Sequence, residues 1–376
     1  MKRLTLNYFV FLLISLTTMG QKYSEAEAIL DKLIEKGKTP GLQYVAIKNN
    51  EIIYEYYGGI GNYKNNEKVD KNTVFKIFST TKTFTALAIM QLAEQKKLNI
   101  KDPVSKYVDY YPYKEEITIK QVLSHTAGIP NPPVFWVHYK DDHSTYNYKK
   151  FRKEIFTKFP ELKRKPGKRR SYDNIGFLYL AEIIESLSGL SYIEYINTNI
   201  IEKLDIPEQY LSYDIPENNY AYGHIAKKSL MSWFLFKYLE KSKIIDSTYG
   251  KWHEFTKHYY LNGAAYGGLH ANARSLAWYG NKILNYNPEL LNKDSYNLMF
   301  APVKLSNDKE IPQYLAWMKK YLKNETVILH PGGGGGYSCL FRIYPNQKMV
   351  TVLLINRTQT FKDLKLLDKI DYYFFK

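Results

Sequence analysis

The chain has 376 residues, 45% hydrophobic and 24% charged, enough apolar side chain to close one large core or two moderate ones, which excludes a disordered polypeptide. The formal charge of +16 suits anionic partners, yet no helix-turn-helix, zinc-finger or RNA-binding signature accompanies it, so nucleic acid is not an expected partner. The surplus reads as a diffuse solvated surface or as an affinity for anionic envelope components.

The amino terminus opens on Lys2-Arg3, the apolar run "YFVFLLISL" and the small-residue exit "TTMG", the pattern of an export signal over residues 1–20. The run is short for a bilayer span, and no cysteine follows it for lipid attachment. A cleaved signal and an exported mature chain, periplasmic or secreted, are expected; an uncleaved anchor is the alternative. No later segment has the pattern of a membrane span, so the mature chain is expected to lack one.

"SEAEAILDKLIEKG" reads as a helix capped by Ser24 and stopped by Gly37, and "LQYVAIKNNEIIYEYYGGIG" as two strands turning at Asn49-Asn50. After Ser79, "TFTALAIMQLAEQKKL" places Phe84, Leu87, Ala88 and Leu92 at helical spacing, predicting a buried amphipathic helix. Residues 100 to 260 read mostly as helix and loop. Within them, residues 229–260 are rich in aromatics and poor in turn signals. That stretch reads as helix packed into the core, or as a lid or wall over a site that accepts apolar groups. Strands return in "TVILH", "YSCLFRIY" and "MVTVLLINR", and a last helix is expected over about 362–375. The predicted class is α+β, an antiparallel sheet from both chain ends flanked by helices, with an inserted mainly helical region. One domain over 21–376 is expected, its sheet region at about 22–78 and 262–376 and its helical region at about 79–261.

Candidate chemistry begins at Ser79-Thr80-Thr81-Lys82. A serine hydroxyl needs a base, and a lysine three residues on shares its helical face. Helix N-termini also offer free N–H groups to a developing oxyanion. Read alone, Lys82 is equally a surface lysine behind a helix cap. Cys339, inside "YSCLFRIY", reads as a buried structural thiol, and as the only cysteine it excludes an intramolecular disulfide. "HEFTKH" at His253 to His258 is one residue too long for a zinc-binding H-E-x-x-H helix. No metal or other cofactor is expected. The glycine run lacks the Lys-Ser/Thr of a phosphate loop, and "GYSCL" is not a G-x-S-x-G nucleophile elbow.

Ser79-x-x-Lys82, Tyr172-Asp173-Asn174 behind a Pro-Gly turn, and His330-Pro331-Gly332 near the end occur in that order. Together they resemble the three motifs of the serine β-lactamase and penicillin-binding-protein superfamily, in its class C-like branch of β-lactamases, esterases and D-aminopeptidases. "ITIKQVLSHTAGIP" and "GAAYGGLHANARSLAWYG" are similar to two further stretches of that branch. The resemblance spans about residues 40 to 355. It implies a β-lactamase/transpeptidase-like fold with Ser79 as the acyl-accepting nucleophile. It also implies Lys82 and Tyr172 as shared base, Tyr172 returning a proton to the leaving group, and Asn174 orienting Lys82 and binding substrate. The N–H groups of Ser79 and Gly333 would form the oxyanion hole, and His330 and Gly332 would line the same cleft. His125, in "SHTAG", reads as a loop-holding residue.

Two departures bear on substrate. His330 stands where β-lactam-hydrolysing relatives carry lysine, so strong antibiotic hydrolysis is not implied. Pro331 offers no ladder N–H, so strand pairing is expected to break there and to leave the oxyanion donor's register open by one residue. The expected activity is that of an exported serine hydrolase acting on an ester or amide, a small molecule or peptide that includes peptidoglycan-derived D-amino-acid peptides. A penicillin-binding protein with little turnover and a non-catalytic envelope-binding homologue are the alternatives.

Overall fold

The computed structural model describes residues 23–133, 136–358 and 360–375; the expected export signal lies outside them. Strand β1, Gly41–Lys48, is apolar at odd and even positions alike, the pattern of a strand covered on both faces. Leu42, Tyr44 and Ala46 pack with a helix over 23–35 (α1) and with the C-terminal helix Phe361–Asp371. Val45 and Ile47 face the main core. Because α1 already runs at residue 23, Ser24 lies inside the helix rather than at its cap. Gly37 stops it as expected, at φ +56.

Asn49 and Asn50 both have positive φ, the geometry of a two-residue hairpin turn, and join β1 to β2, Glu51–Asn62. The antiparallel sheet runs Met318–Leu322, Glu325–Leu329, Tyr337–Tyr344, Met349–Ile355, β1, β2, Glu67–Lys68. Both chain ends therefore build it. The fold is the expected α+β arrangement.

Helix α2, Lys82–Glu94, is the buried helix the spacing predicts, and it differs only in being buried on every side from Lys82 to Leu92, which makes it the hub of the helical layer. Its threonines are satisfied internally: Thr83 Oγ1 donates to Thr80 O at 2.8 Å and Thr85 Oγ1 to Ala265 O at 2.7 Å. The 229–260 stretch differs too. It holds one helix, Leu230–Tyr238, and then short strands; Ser247–Tyr249 and Trp252–Phe255 join Gly223–Ala226 in a small sheet. His253 lies on a strand, where it shares no helical face with His258. No helix among the described residues is long and apolar enough to cross a membrane.

Candidate active site

Ser79 stands in a single tight turn, Phe78–Thr81, that feeds directly into α2. Phe78 holds φ +45, a conformation costly for a residue with a β-carbon, and such strain clusters at functional sites. The first helical hydrogen bond runs from Thr80 N to Ile77 O, so the Ser79 N–H precedes the ladder.

One turn on, the Lys82 ammonium points back. Its Nζ lies 3.3 Å from Ser79 Oγ and donates to Asn174 Oδ1 and Tyr266 O, both at 2.8 Å. Lys82 is fully buried. Burial holds its pKa well below the lysine range, opposed by the carboxyl of Asp173. Asn174 stands at the start of helix Ile175–Ser188 without capping it. Its side chain is spent on Lys82, and Asp173 Oδ1 accepts the Gly176 N–H instead, at 2.7 Å.

Tyr172 is half-buried, with its ring 5.1 Å from Lys82 Nζ and its phenol in hydrogen-bonding reach of Ser79. Burial raises the phenol's pKa, with Asp173 adding to the rise; the Ser79 contact and Arg170 oppose it. Arg170 is thus the member of the basic run before Tyr172 whose charge reaches the phenol. Tyr172 packs on the ring of His125 at 4.4 Å. His125 is buried at φ +56, and its carbonyl accepts the Ser171 N–H at 2.7 Å. It therefore fastens the segment leading into Tyr172.

The ladder at the third motif is continuous in register. Leu329 pairs with Arg342 and Gly332 with Cys339, the same offset on both sides of Pro331. His330 N donates to Phe341 O, so the 330/341 and 332/339 pairs are the hydrogen-bonded ones and 331/340 and 333/338 are not. Pro331 thus occupies a position whose N–H the ladder never needed. The strand breaks at 330–331 as expected, between Glu325–Leu329 and Gly332–Gly334, but the offset is unchanged across the break, so the register does not slip. By the same alternation the Gly333 N–H points away from the sheet partner, and Gly333 lines a cleft with Phe78, Ser79, Trp136, Asn174, Leu261 and Tyr266.

Gly332 and His330 are not among the residues lining that cleft. A β-carbon on Gly332 would sit 1.9 Å from Ile77 O, so its bareness lets the strand approach the Ser79 turn. His330 is 2% exposed, with Nδ1 3.0 Å from Pro331 O and its carbonyl accepting Thr80 Oγ1. Burial first, then Lys82 and His125, push its pKa well below the histidine range. No cation stands at position 330. Cys339 is buried behind this strand, its thiol pushed up to about 12 by burial. The cleft measures about 60 Å³. A roomier cavity of about 470 Å³, between Asn49-Asn50, Tyr286 and Asn346, contains none of the motif residues.

The beta-lactamase family model matches residues 26–371. The chain belongs to the beta-lactamase family. This family member is 25% identical to penicillin-binding protein 4* of Bacillus subtilis (strain 168) over 343 residues, 90% of this chain and 72% of that protein. It is 30% identical to protein flp of Staphylococcus aureus (strain NCTC 8325 / PS 47) over 207 residues, 54% of this chain and 40% of flp. Its fold superposes on a D-amino acid amidase from Ochrobactrum anthropi SV3 with a TM-score of 0.76 at 16% identity, covering 93% of this chain and 98% of that one. At such identity the likeness shows the fold alone.

Two residues of this beta-lactamase-family site escaped the sequence reading. Tyr266 supplies a carbonyl to Lys82 and a wall to the cleft; it lies inside "GAAYGG", which its glycines marked without marking the tyrosine. Asp173 lies within the second motif, and its carboxyl opposes the effect of burial on Lys82. A carboxylate between two site residues was the available signal.

Proposed function

We propose that the chain is a serine hydrolase that forms an acyl-enzyme on Ser79. The observation that carries the reading is a buried lysine amine 3.3 Å from the Ser79 hydroxyl, held by two acceptors and depressed by burial. In this reading neutral Lys82 takes the Ser79 proton as Oγ bonds to the substrate carbonyl carbon. The carbonyl oxygen takes the negative charge between the Ser79 and Gly333 N–H groups. Tyr172, protonated at neutral pH, gives its proton to the departing amine or alkoxide as that bond breaks and is reprotonated from Lys82. Water then repeats the sequence on the ester and frees Ser79.

The cleft walls Phe78, Trp136, Leu261 and Tyr266 favour a small apolar acyl group. Neutral His330 offers no charge to hold a β-lactam carboxylate. Both features support an ester or D-amino-acid amide over an antibiotic as substrate. Envelope peptides, reached by an exported protein, would be the natural class. The narrowness of the cleft favours a second reading, slow deacylation by restricted water, which would make the chain penicillin-binding with little turnover.

A substrate panel separates the two. p-Nitrophenyl esters and D-alanyl amides should turn over many times per enzyme, and a chromogenic cephalosporin slowly or not at all. A single stoichiometric burst on every substrate would favour the second reading. Cephalosporin turnover exceeding ester and amide turnover would contradict both.

A further inference from the structure

Helix Leu230–Tyr238 is seated on one side only. Ser232, Leu235 and Leu239 are buried. Leu235 and Phe255 abut Gly335, lying 3.2 and 3.3 Å from where its β-carbon would be. The helix therefore rests on the glycine run whose earlier residue, Gly333, lines the Ser79 cleft. The other side carries apolar groups into solvent: Leu230 is 82% exposed, Trp233 68% and Met231 50%. Phe234, next to Trp233, sets its ring 5.1 Å from that of Tyr238, one turn on. A cluster of this kind on one short helix marks an interaction surface rather than scattered exposure.

The surrounding charge is one-sided. Residues 227–251 contain Lys227, Lys228, Lys237, Lys241, Lys243 and Lys251 against two acids, Glu240 and Asp246. Both acids are already matched, Glu240 by Lys243 at 3.1 Å and Asp246 by Lys64 and Lys257 at 3.6 and 3.8 Å. Lys227 and Lys241 both depress the pKa of His253 after burial has done so, which places their charges about the same small sheet. Lys241 and Lys251 lie over the rings of Phe236 and Trp252, at 5.7 and 5.2 Å, as lysines do when the stem follows apolar surface and the head seeks an anion.

We propose that this helix docks on an anionic lipid surface. Trp233, Leu230 and Met231 would enter the boundary between headgroups and acyl chains while the lysines meet lipid phosphates. A second copy of this chain is a poor occupant, since pairing through the same face sets one lysine belt against another. The inference does not rest on the catalytic reading. If both hold, the Ser79 cleft opens beside the surface on which its substrates lie.

Flotation of the full chain with vesicles tests it. Phosphatidylcholine vesicles containing about a third phosphatidylglycerol should carry the protein, pure phosphatidylcholine should not, and added salt should release it. Leu230→Ser/Trp233→Ser and, separately, Lys227→Glu/Lys228→Glu should each weaken binding roughly tenfold or more, with melting temperature unchanged because all four side chains are exposed. Four results would overturn the proposal: no flotation, equal binding to neutral vesicles, binding untouched by both pairs of substitutions, or a dimer in light scattering that Leu230→Ser/Trp233→Ser dissolves. Capture by an acidic protein without vesicle binding would overturn it as well.

Discussion

Burial disfavours a charge on Lys82, which has no carboxylate within ion-pairing distance among the described residues and donates to Asn174 Oδ1 and Tyr266 O. Nearby, Asp173 Oδ2 lies 3.5 Å from His125 Nδ1, and Nδ1 also faces the Asp173 N–H at 3.4 Å. A nitrogen that accepts from that N–H can meet the carboxyl favourably only if the carboxyl donates. Burial, raising the Asp173 pKa to about 7, agrees with such a protonated acid. The sign follows. A folded pKa raised above the unfolded value gives stability that is present below the unfolded carboxylate range and lost as pH climbs through about 7.

Asp173→Asn keeps the acceptor for Gly176 and supplies a permanent donor to His125. Its melting temperature should exceed wild type at about pH 8 and converge with it only below about pH 4. Because the Asp173 charge raises the Lys82 pKa, the same substitution should shift the acid limb of kcat/KM to lower pH. An unmoved limb in a pH–rate series would remove Asp173 from the electrostatics of the base. In the wild type, activity should rise with pH as Lys82 loses its proton and level off below the ordinary lysine range. At this scale the motifs were legible because they fall at fixed spacings. Tyr266 was not, because its role comes from a backbone carbonyl, which has no letter in the sequence. Asp173 was visible as a carboxylate between two site residues, but the burial that shifts it was not.

Among the elements, the strand Gly332–Gly334 brings the third motif to the nucleophile. Its glycines were visible as a run, but their reason was not. A β-carbon on Gly332 would meet Ile77 O and one on Gly334 the ring of Phe78, so the requirement comes from a segment about 255 residues away. Gly332→Ala should push the strand off the Ser79 turn, lowering stability by about 1–3 kcal/mol and activity far more than that loss explains. Activity at wild-type level in a folded Gly332→Ala protein would show that the approach is unimportant. Pro331 interrupts the strand as expected without shifting its register, since the register depends on which pairs of the ladder are hydrogen-bonded and not on strand propensity. The 229–260 stretch was misread because strands of three and four residues leave too few alternations to distinguish from helix. The burial of α2 was legible but its extent was not: threonines look like a polar face until their backbone acceptors are known.

For the whole molecule, closure of the sheet by its two ends is the organising feature, and it was legible because both ends carry long apolar strands. What locks the ends together was not. Asp371, from the last helix, is fully buried and accepts from Tyr44 at 2.8 Å, Tyr344 at 2.5 Å, Thr351 at 3.0 Å and Arg342 at 3.1 Å. Those partners come from β1 and from both C-terminal strands. Asp371→Ala leaves the buried Arg342 with Asp368 as its carboxylate partner, at 2.7 Å, takes the acceptor from the buried Tyr44, Tyr344 and Thr351 hydroxyls, and should cost about 3–5 kcal/mol in denaturant unfolding. A loss under roughly 1 kcal/mol would place the closure elsewhere.

The central claim, that Ser79 is acylated with Lys82 as its base, is tested most directly by intact-mass spectrometry after reaction with a fluorophosphonate and with a labelled penicillin. Wild type should gain one adduct per chain, mapped by peptide sequencing to Ser79. Ser79→Ala should gain none, and Lys82→Ala should label roughly a thousandfold more slowly. An adduct that persists in folded Ser79→Ala, or maps to another residue, would contradict the account.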